Sequence, residues 1–465
     1  MLYMKKGLTK GLSLVLCTAT MLSMLSGCKE KNTESGQVSI TVGGWPSAET
    51  QKLEHELWEK YSEEMTKKYP DITIERDDYK YAPDTFLPLA ASGQLPDMFA
   101  VPFTEPKKLF STGYLADVTS AFTKYGYKDA VNDEVLKILG ENGKFYGVPI
   151  SADVFGMLYN RKLFEQAGLV NADGTLMYPK NFDELLQTAI TIKEKTGKAG
   201  LAFTTLDKAA GWLIMSLAWS NGVKFMEQKD GKWTATFDSP EMLKAMQYIS
   251  DLKWKYNVLP ENVMLKADDV QQLVATDQAA MMYYSEFMVN RMVPTYNMSK
   301  DNISTSPVPA GSAGAISLVS GSAWLFSGSA DESQIDAMFK WLQIMGKGTE
   351  LDERTIAVTE EKYQANLDSG LVVSAPGFSI FKNPERVKKE QEIANKYLNV
   401  DPVKWGRIYD DSVKLQPEEP VECQQLYAVV ASLLQKVLTD KNADISALLK
   451  EANTNFQKDF LDNVK

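Results

Sequence analysis

The stretches VSITVGG at residues 38–44 and DITIERDDY at 71–79 decide the fold class of this chain. In the first, Val38, Ile40 and Val42 alternate with Ser39 and Thr41, the period of a strand, and Gly43-Gly44 ends the run in a turn. Between the two lies QKLEHELWEKYSEEM, an acidic amphipathic helix pattern that runs up to Tyr69-Pro70, and DITIERDDY reads as the next strand. Moving outward, FLPLAASGQ (86–94) is helical, Pro96-Asp97 opens the apolar strand MFAVPF (98–103), and PKKLFSTGYLADV (106–118) reads as one more helix with a glycine near its stop. Such alternation predicts an α/β fold with a largely parallel sheet.

The middle and late chain is helix-rich. NFDELLQTAITIKEKTG (181–197) has a capping asparagine, apolar residues at i, i+3 and i+4 spacing, and a terminal glycine. SPEMLKAMQYISDLKWKY (239–256) and DESQIDAMFKWLQIMG (331–346) repeat that pattern. No repeat period, low-complexity tract or Pro-rich linker separates independent domains, so if there are two lobes the chain crosses between them.

Composition narrows the function. The 465 residues carry a formal charge of −11, which makes a nucleic-acid partner improbable. His55, the only histidine, lies in the first amphipathic helix pattern, so histidine triads and histidine-rich zinc sites lack raw material. Behind Lys5, Lys6 and Lys10, an apolar run from Gly11 to Leu25 is too short to span a bilayer comfortably and reads as an export signal. Its ending, Leu25-Ser26-Gly27-Cys28, resembles the lipobox of bacterial lipoproteins, in which the cysteine is acylated and becomes the new N-terminus. On that resemblance residues 1–27 are removed, the formal charge moves from −11 to −14, Cys28 carries the lipid, and 29–37 (KEKNTESGQ) form a polar tether. The folded part is expected from Val38, outside the cytoplasm at the membrane surface. The lipobox itself does not decide between a Gram-positive surface, the setting favoured here, and a Gram-negative envelope. Cys423 is then the one cysteine left beside the lipidated one, so no disulfide framework or cysteine metal site is expected.

GKFYGVPISADVFGMLYNRKLFEQAGL (143–169) resembles a segment of the extracellular solute-binding proteins of ABC sugar importers, the family that includes the maltose-binding protein. The matching positions are Gly143, Tyr146, Gly147, Val148 and Pro149, then Tyr159, Asn160 and Arg161 at a strand-to-helix junction. SGQLPDMFAV with STGYLADV, TDQAAMMYYSEF, SPVPAG and FKWLQIM follow in the family's order, with a weaker likeness at ISALLKEANTNFQ. The resemblance implies a two-lobed, type II periplasmic-binding-protein-like fold whose lobes are joined by crossing segments and close on a ligand in the cleft. The first lobe would hold residues 38–150 with 310–346, and the second 151–308 with 347–465. The implied function is capture of a carbohydrate, an oligosaccharide first of all, by a monomer that delivers it to a membrane permease powered by a separate ATPase. No cofactor, metal or catalysis is implied.

A saccharide offers C–H faces and a rim of hydroxyls, so its site calls for aromatic platforms and planar carboxylate or amide partners in loops beyond strand ends. Trp45 directly follows the first strand's Gly-Gly turn, and Phe103 and Thr104 follow the MFAVP strand. Asp153 lies in the crossing segment, where the resemblance implies a ligand-binding acid and where an unpartnered carboxylate would be costly. Trp212 and Trp219 are seven residues apart and share a helix face, a spacing commoner in cores; Trp212, nearer the helix start, is the candidate. Tyr283, Tyr284, Glu286 and Phe287 follow the TDQAAM strand, in place of the small-residue and tryptophan loop of relatives, a departure that points to a different sugar. Gly321, Ser322 and Trp324 lie in VSGSAWLF; glycine there would let ligand approach the backbone, while Trp324 fits a packed strand equally well.

Adjacent acids at Glu63-Glu64, Asp77-Asp78, Asp268-Asp269, Glu360-Glu361 and Asp410-Asp411 fit solvated surface better than a glycosidase pair. There is no nucleophile elbow, phosphate loop or His-Glu-x-x-His, and NADGT (171–175) lacks the remaining ligands of a calcium loop and reads as a tight turn. Two other readings stay open: the same fold binding a peptide or polyol, and a surface lipoprotein that degrades polysaccharide.

Overall fold

The computed structural model describes residues 36–464, of which 38–464 belong to one compact unit. The export signal, Cys28 and almost all of the tether lie outside the described residues. Strand β1 (Val38–Val42) runs parallel to β2 (Ile72–Arg76), in register from Val38 opposite Ile72 to Val42 opposite Arg76. The helix Lys52–Lys68 connects them, and β3 (Met98–Pro102) lies parallel on the other side of β1. A crossover of that length is what a parallel pair requires.

Beyond β3 the sheet changes character. β4 (Gly147–Asn160) and β7 (Ile316–Phe326) are long strands that pair antiparallel with each other, and β7 also pairs antiparallel with β3. Past Val154, β4 leaves β7 and continues between β5 (Met281–Ser285) and β6 (Ile303–Pro307), both antiparallel to it. The first residues of β7 pair in parallel with β8 (Lys414–Pro417). One eight-stranded sheet thus holds two half-sheets joined through β4 and β7. Parallel pairing holds within β1–β3 and between β7 and β8, while the crossing strands β4 and β7 meet each other and β3, β5 and β6 antiparallel.

Local rules explain most of the helices. Asn181 accepts a hydrogen bond from the Glu184 N–H at 2.9 Å to start the helix Phe182–Thr196, which Gly197 ends at φ +71. Asn160 does the same for Arg161–Ala167, accepting from the Leu163 N–H at 3.0 Å while its amide donates to the Val274 carbonyl and the Asp277 carboxylate. NADGT is a turn closed by its own side chains, with the Thr175 N–H on Asp173 at 3.0 Å. One expected helix is shorter: it stops at Phe110, since Gly113 takes φ +76 and Leu115 bridges to Ser327.

The C-terminal part of the chain reaches both halves. Glu361 pairs with Lys60 at 2.6 Å and Asp133 with Lys382 at 2.8 Å, both toward the β1–β3 half. The helix Cys423–Thr439 instead packs along Asp207–Ser220, in the other half. No helix of the described residues is long and apolar enough to cross a membrane.

Candidate functional site

A cavity of about 880 Å³ opens where β4 and β7 change partners, within the range of small-molecule sites, roughly 300–1,000 Å³. Its floor is backbone and short side chains: Ser151, Ala152 and Asp153 of β4 face Ser320 and Gly321 of β7. Gly321 sits at φ +152, and a Cβ there would lie 2.2 Å from the Ser151 carbonyl and 2.8 Å from the Phe103 ring, so only glycine fits. Aromatic side chains form the walls: Trp212, Tyr284, Tyr363, Phe378, Trp405 and Tyr427.

Three carboxylates point their chemistry at this space. Asp153 accepts from the Ser285 hydroxyl and from the Val154 N–H at 2.9 Å. Glu286, one residue beyond Ser285, accepts from the Gly377 N–H; burial first, then the charge of Asp153, push its carboxyl up to about 8. Glu418 accepts from the Tyr427 hydroxyl at 2.6 Å and from Trp212; burial, with Glu105 adding to it, pushes it up to about 7. Glu105 itself is buried behind Thr104, accepting from Tyr81 at 2.6 Å and from Thr104 at 3.1 Å. Lys208 and Lys362 border the cavity as exposed side chains. The arrangement offers flat apolar faces and hydrogen-bonding carboxyl groups side by side, which suits a polyhydroxylated ligand.

Of the residues singled out in the sequence, Thr104, Asp153, Trp212, Tyr284 and Glu286 come together in this cavity. Ser322 lies one residue beyond its edge, with its hydroxyl 3.4 Å from that of Ser151. Phe103 is buried beneath the floor, donating its N–H to the Gly321 carbonyl at 3.0 Å. The side chain of Phe287 lies outside the described residues. Trp324 packs inside β7 opposite Ala100 and Val148, and Trp219 is buried in the core with its indole N–H on Glu419 at 3.0 Å.

Trp45 is a correction. It is 7% exposed and belongs to the core of the β1–β3 half, stacked 5.9 Å from Trp341 and edge-on to Trp58 at 5.2 Å, while its indole donates to Glu59. The turn after β1 folds it back under two helices instead of toward the cavity. Tyr283 likewise faces away from Tyr284, as strand alternation requires, and is buried beside Phe203.

Several lining residues had no sequence signal strong enough to single them out: Tyr363, the 372–376 loop, Phe378, Trp405, Glu418, Gln424 and Tyr427. Glu418-Glu419 is one more adjacent acid pair, flanked by Pro417 and Pro420, and unlike a solvated pair it is tied down by two indoles of one helix. That proline frame was the readable clue.

The family model for bacterial extracellular solute-binding proteins matches residues 48–346, more than half of the sequence. The chain belongs to the bacterial extracellular solute-binding protein family. Among its relatives is YcjN of Escherichia coli strain K12, whose own name gives it provisionally as an ABC transporter periplasmic-binding protein; the two are 26% identical over 294 residues, 60% of this chain and 62% of that one. This solute-binding chain therefore spans less than two thirds of the length of the curated relatives it matches. Two solved structures share its fold. A solute-binding protein from Thermotoga lettingae bound to α-D-tagatose has a TM-score of 0.65 at 22% identity, covering 91% of this chain and 99% of that one. The cyclic α-maltosyl-1,6-maltose binding protein of Arthrobacter globiformis has a TM-score of 0.62 at 21% identity, covering 90% and 98%. The fold is the two-lobed, type II periplasmic-binding-protein form, with β4 and β7 as crossing strands.

Proposed function

We propose that this chain is the binding component of an ABC importer that captures a carbohydrate, an oligosaccharide first of all, between its lobes and hands it to a membrane permease. The observation that carries the reading is the cavity at the β4–β7 crossing, where aromatic walls and three hydrogen-bonded carboxylates meet in one space. Of the ligand-binding residues expected from the sequence, Thr104, Asp153, Trp212, Tyr284 and Glu286 are retained in this proposal, with Ser322 at the edge; Glu418 and Tyr427 join them.

Lobe one comprises residues 38–150 with 310–346, and lobe two 151–308 with 347–465, though the ion pairs of Glu361 and Lys382 tie part of the latter segment to lobe one. A ligand touching both lobes favours the closed arrangement by its differential affinity, and nothing else shifts the equilibrium. In this reading the monomer is tethered outside the cytoplasm by acylated Cys28, which keeps captured sugar next to the permease. The test is a melting-temperature panel of oligosaccharides, peptides and polyols, because a ligand that binds only the folded state raises its melting point. A response restricted to glycans supports the reading; a response restricted to peptides or polyols replaces the ligand, and reducing-end products from a polysaccharide would replace the function.

A further inference from the structure

The segment Glu418 to Glu422 does more than border the cavity: it is gripped from both halves of the molecule. On one side, the helix Asp207–Ser220 presents two indoles two turns apart, Trp212 to Glu418 and Trp219 to Glu419, the latter at 3.0 Å. On the other, the short helix Pro106–Phe110 after β3 brings up Lys107 and Lys108. Lys108 forms an ion pair with Glu422 at 3.2 Å, and the charge of Lys107 acts on Glu419. Just before that helix, Thr104 accepts a hydrogen bond from Gln424 at 3.4 Å.

Two contacts thus run from residues 104–108 of the β1–β3 half to residues 422–424, which lead into a helix packed on the other half. Their chemistry is complementary, with cations on one side and acids on the other. Glu422 supports the reading from its backbone: it holds φ +47 at the start of the helix Cys423–Thr439 and makes no capping hydrogen bond there, so its side chain is available to Lys108.

We propose that the Lys108–Glu422 pair is a charge clamp on the 418–422 strap, holding the two lobes together and setting Glu418 against the ligand cavity. The clamp deepens the proposed capture mechanism and rests on it only for the ligand; its conformational part stands alone. Lys108 and Glu422 are positioning residues that act through Glu418. The Lys108–Glu422 pair is partly exposed, so salt screens it, and the lobe equilibrium becomes sensitive to ionic strength.

The experiment needs no ligand. Small-angle scattering of the compact unit 38–465 is recorded across a sodium chloride series for the wild type, Lys108→Glu, Glu422→Lys and the doubly reversed pair, with Lys195→Glu as a remote control. Each single reversal is expected to raise the radius of gyration at low salt to the value wild type reaches at high salt, and the double reversal to restore the compact form. Circular dichroism melts confirm folding; a single reversal that fails to fold is replaced by Lys108→Met or Glu422→Gln, with the same expectation. Unchanged scattering in the single variants, or a double variant no more compact than either single, overturns the clamp while leaving the carbohydrate reading untouched.

Discussion

The Tyr427 hydroxyl donates to the Glu418 carboxylate at 2.6 Å, fixing an acid at the cavity wall to the helix Cys423–Thr439. A hydrogen bond to a charged or nearly charged group contributes about 1.5–3 kcal/mol. Tyr427→Phe is expected to destabilise the protein by about that amount in urea unfolding and to weaken ligand binding, since Glu418 then loses its orientation. Stability and affinity both equal to wild type would remove this pair from the account.

Stability should fall as pH rises through neutrality. Burial, with the charge of Asp153, pushes Glu286 up to about 8, and burial pushes Glu418 up to about 7, from an ordinary value of 4.5. A folded chain that holds the Glu418 proton up to about pH 7 and the Glu286 proton up to about pH 8 binds more protons than the unfolded chain above pH 4.5, so unfolding free energy declines across that window. Above pH 8 the slope from Lys347 is opposite, because burial holds its ammonium down at about 8 and the unfolded chain then binds the extra proton. Melting temperatures at half-unit steps check this, and Glu286→Gln should flatten the decline between 4.5 and 8. A Gln variant with the wild-type slope would show that Glu286 is not the source.

Trp45 and Trp212 should separate cleanly. Trp45→Ala removes a stacked core ring and is expected to cost about 3–5 kcal/mol of stability with ligand affinity retained. Trp212→Ala, at the cavity, should lose about tenfold or more in affinity, equivalent to roughly 1.4 kcal/mol, with the smaller stability loss of a half-buried ring. Calorimetric titration beside thermal melts decides; the reverse pattern would return Trp45 to the ligand site.

Gly321→Ala tests the crossing itself. Its Cβ would collide with the Ser151 carbonyl at 2.2 Å in a backbone at φ +152, so the loss is expected at roughly 2–5 kcal/mol. Gly93→Ala, at φ +68 with open space around it, should cost about 1–2 kcal/mol. Equal losses at the two positions would mean that β4 and β7 are less closely apposed than described.

Much of this was legible in the sequence where the cause is local. Alternation in VSITV and DITIER, the Asn181 cap and the Gly197 stop each act within a few residues, and the elements stand where they were expected. The antiparallel crossing was not legible, since Val154 and Val319 become partners only when distant segments meet. Trp45 misled for the same reason: what covers it, Trp58 and Trp341, comes from two helices, one nearly 300 residues away. Asp153 could be singled out because an unpartnered carboxylate in a strand is costly and the family resemblance implies an acid there; Trp212 stood out only as the indole nearer a helix start, at a spacing commoner in cores. Glu418 could not, because a pair of glutamates reads as surface until its proline frame and the two indoles are seen together.

The most direct test of the central claim is intrinsic tryptophan fluorescence of the compact unit titrated with a panel of oligosaccharides, with Trp212→Phe run alongside. The account predicts a saturable change with one glycan class, accompanied by a rise in melting temperature, and a much smaller spectral change in the variant. A flat response to every glycan, with peptides or polyols producing the saturable change instead, would contradict it.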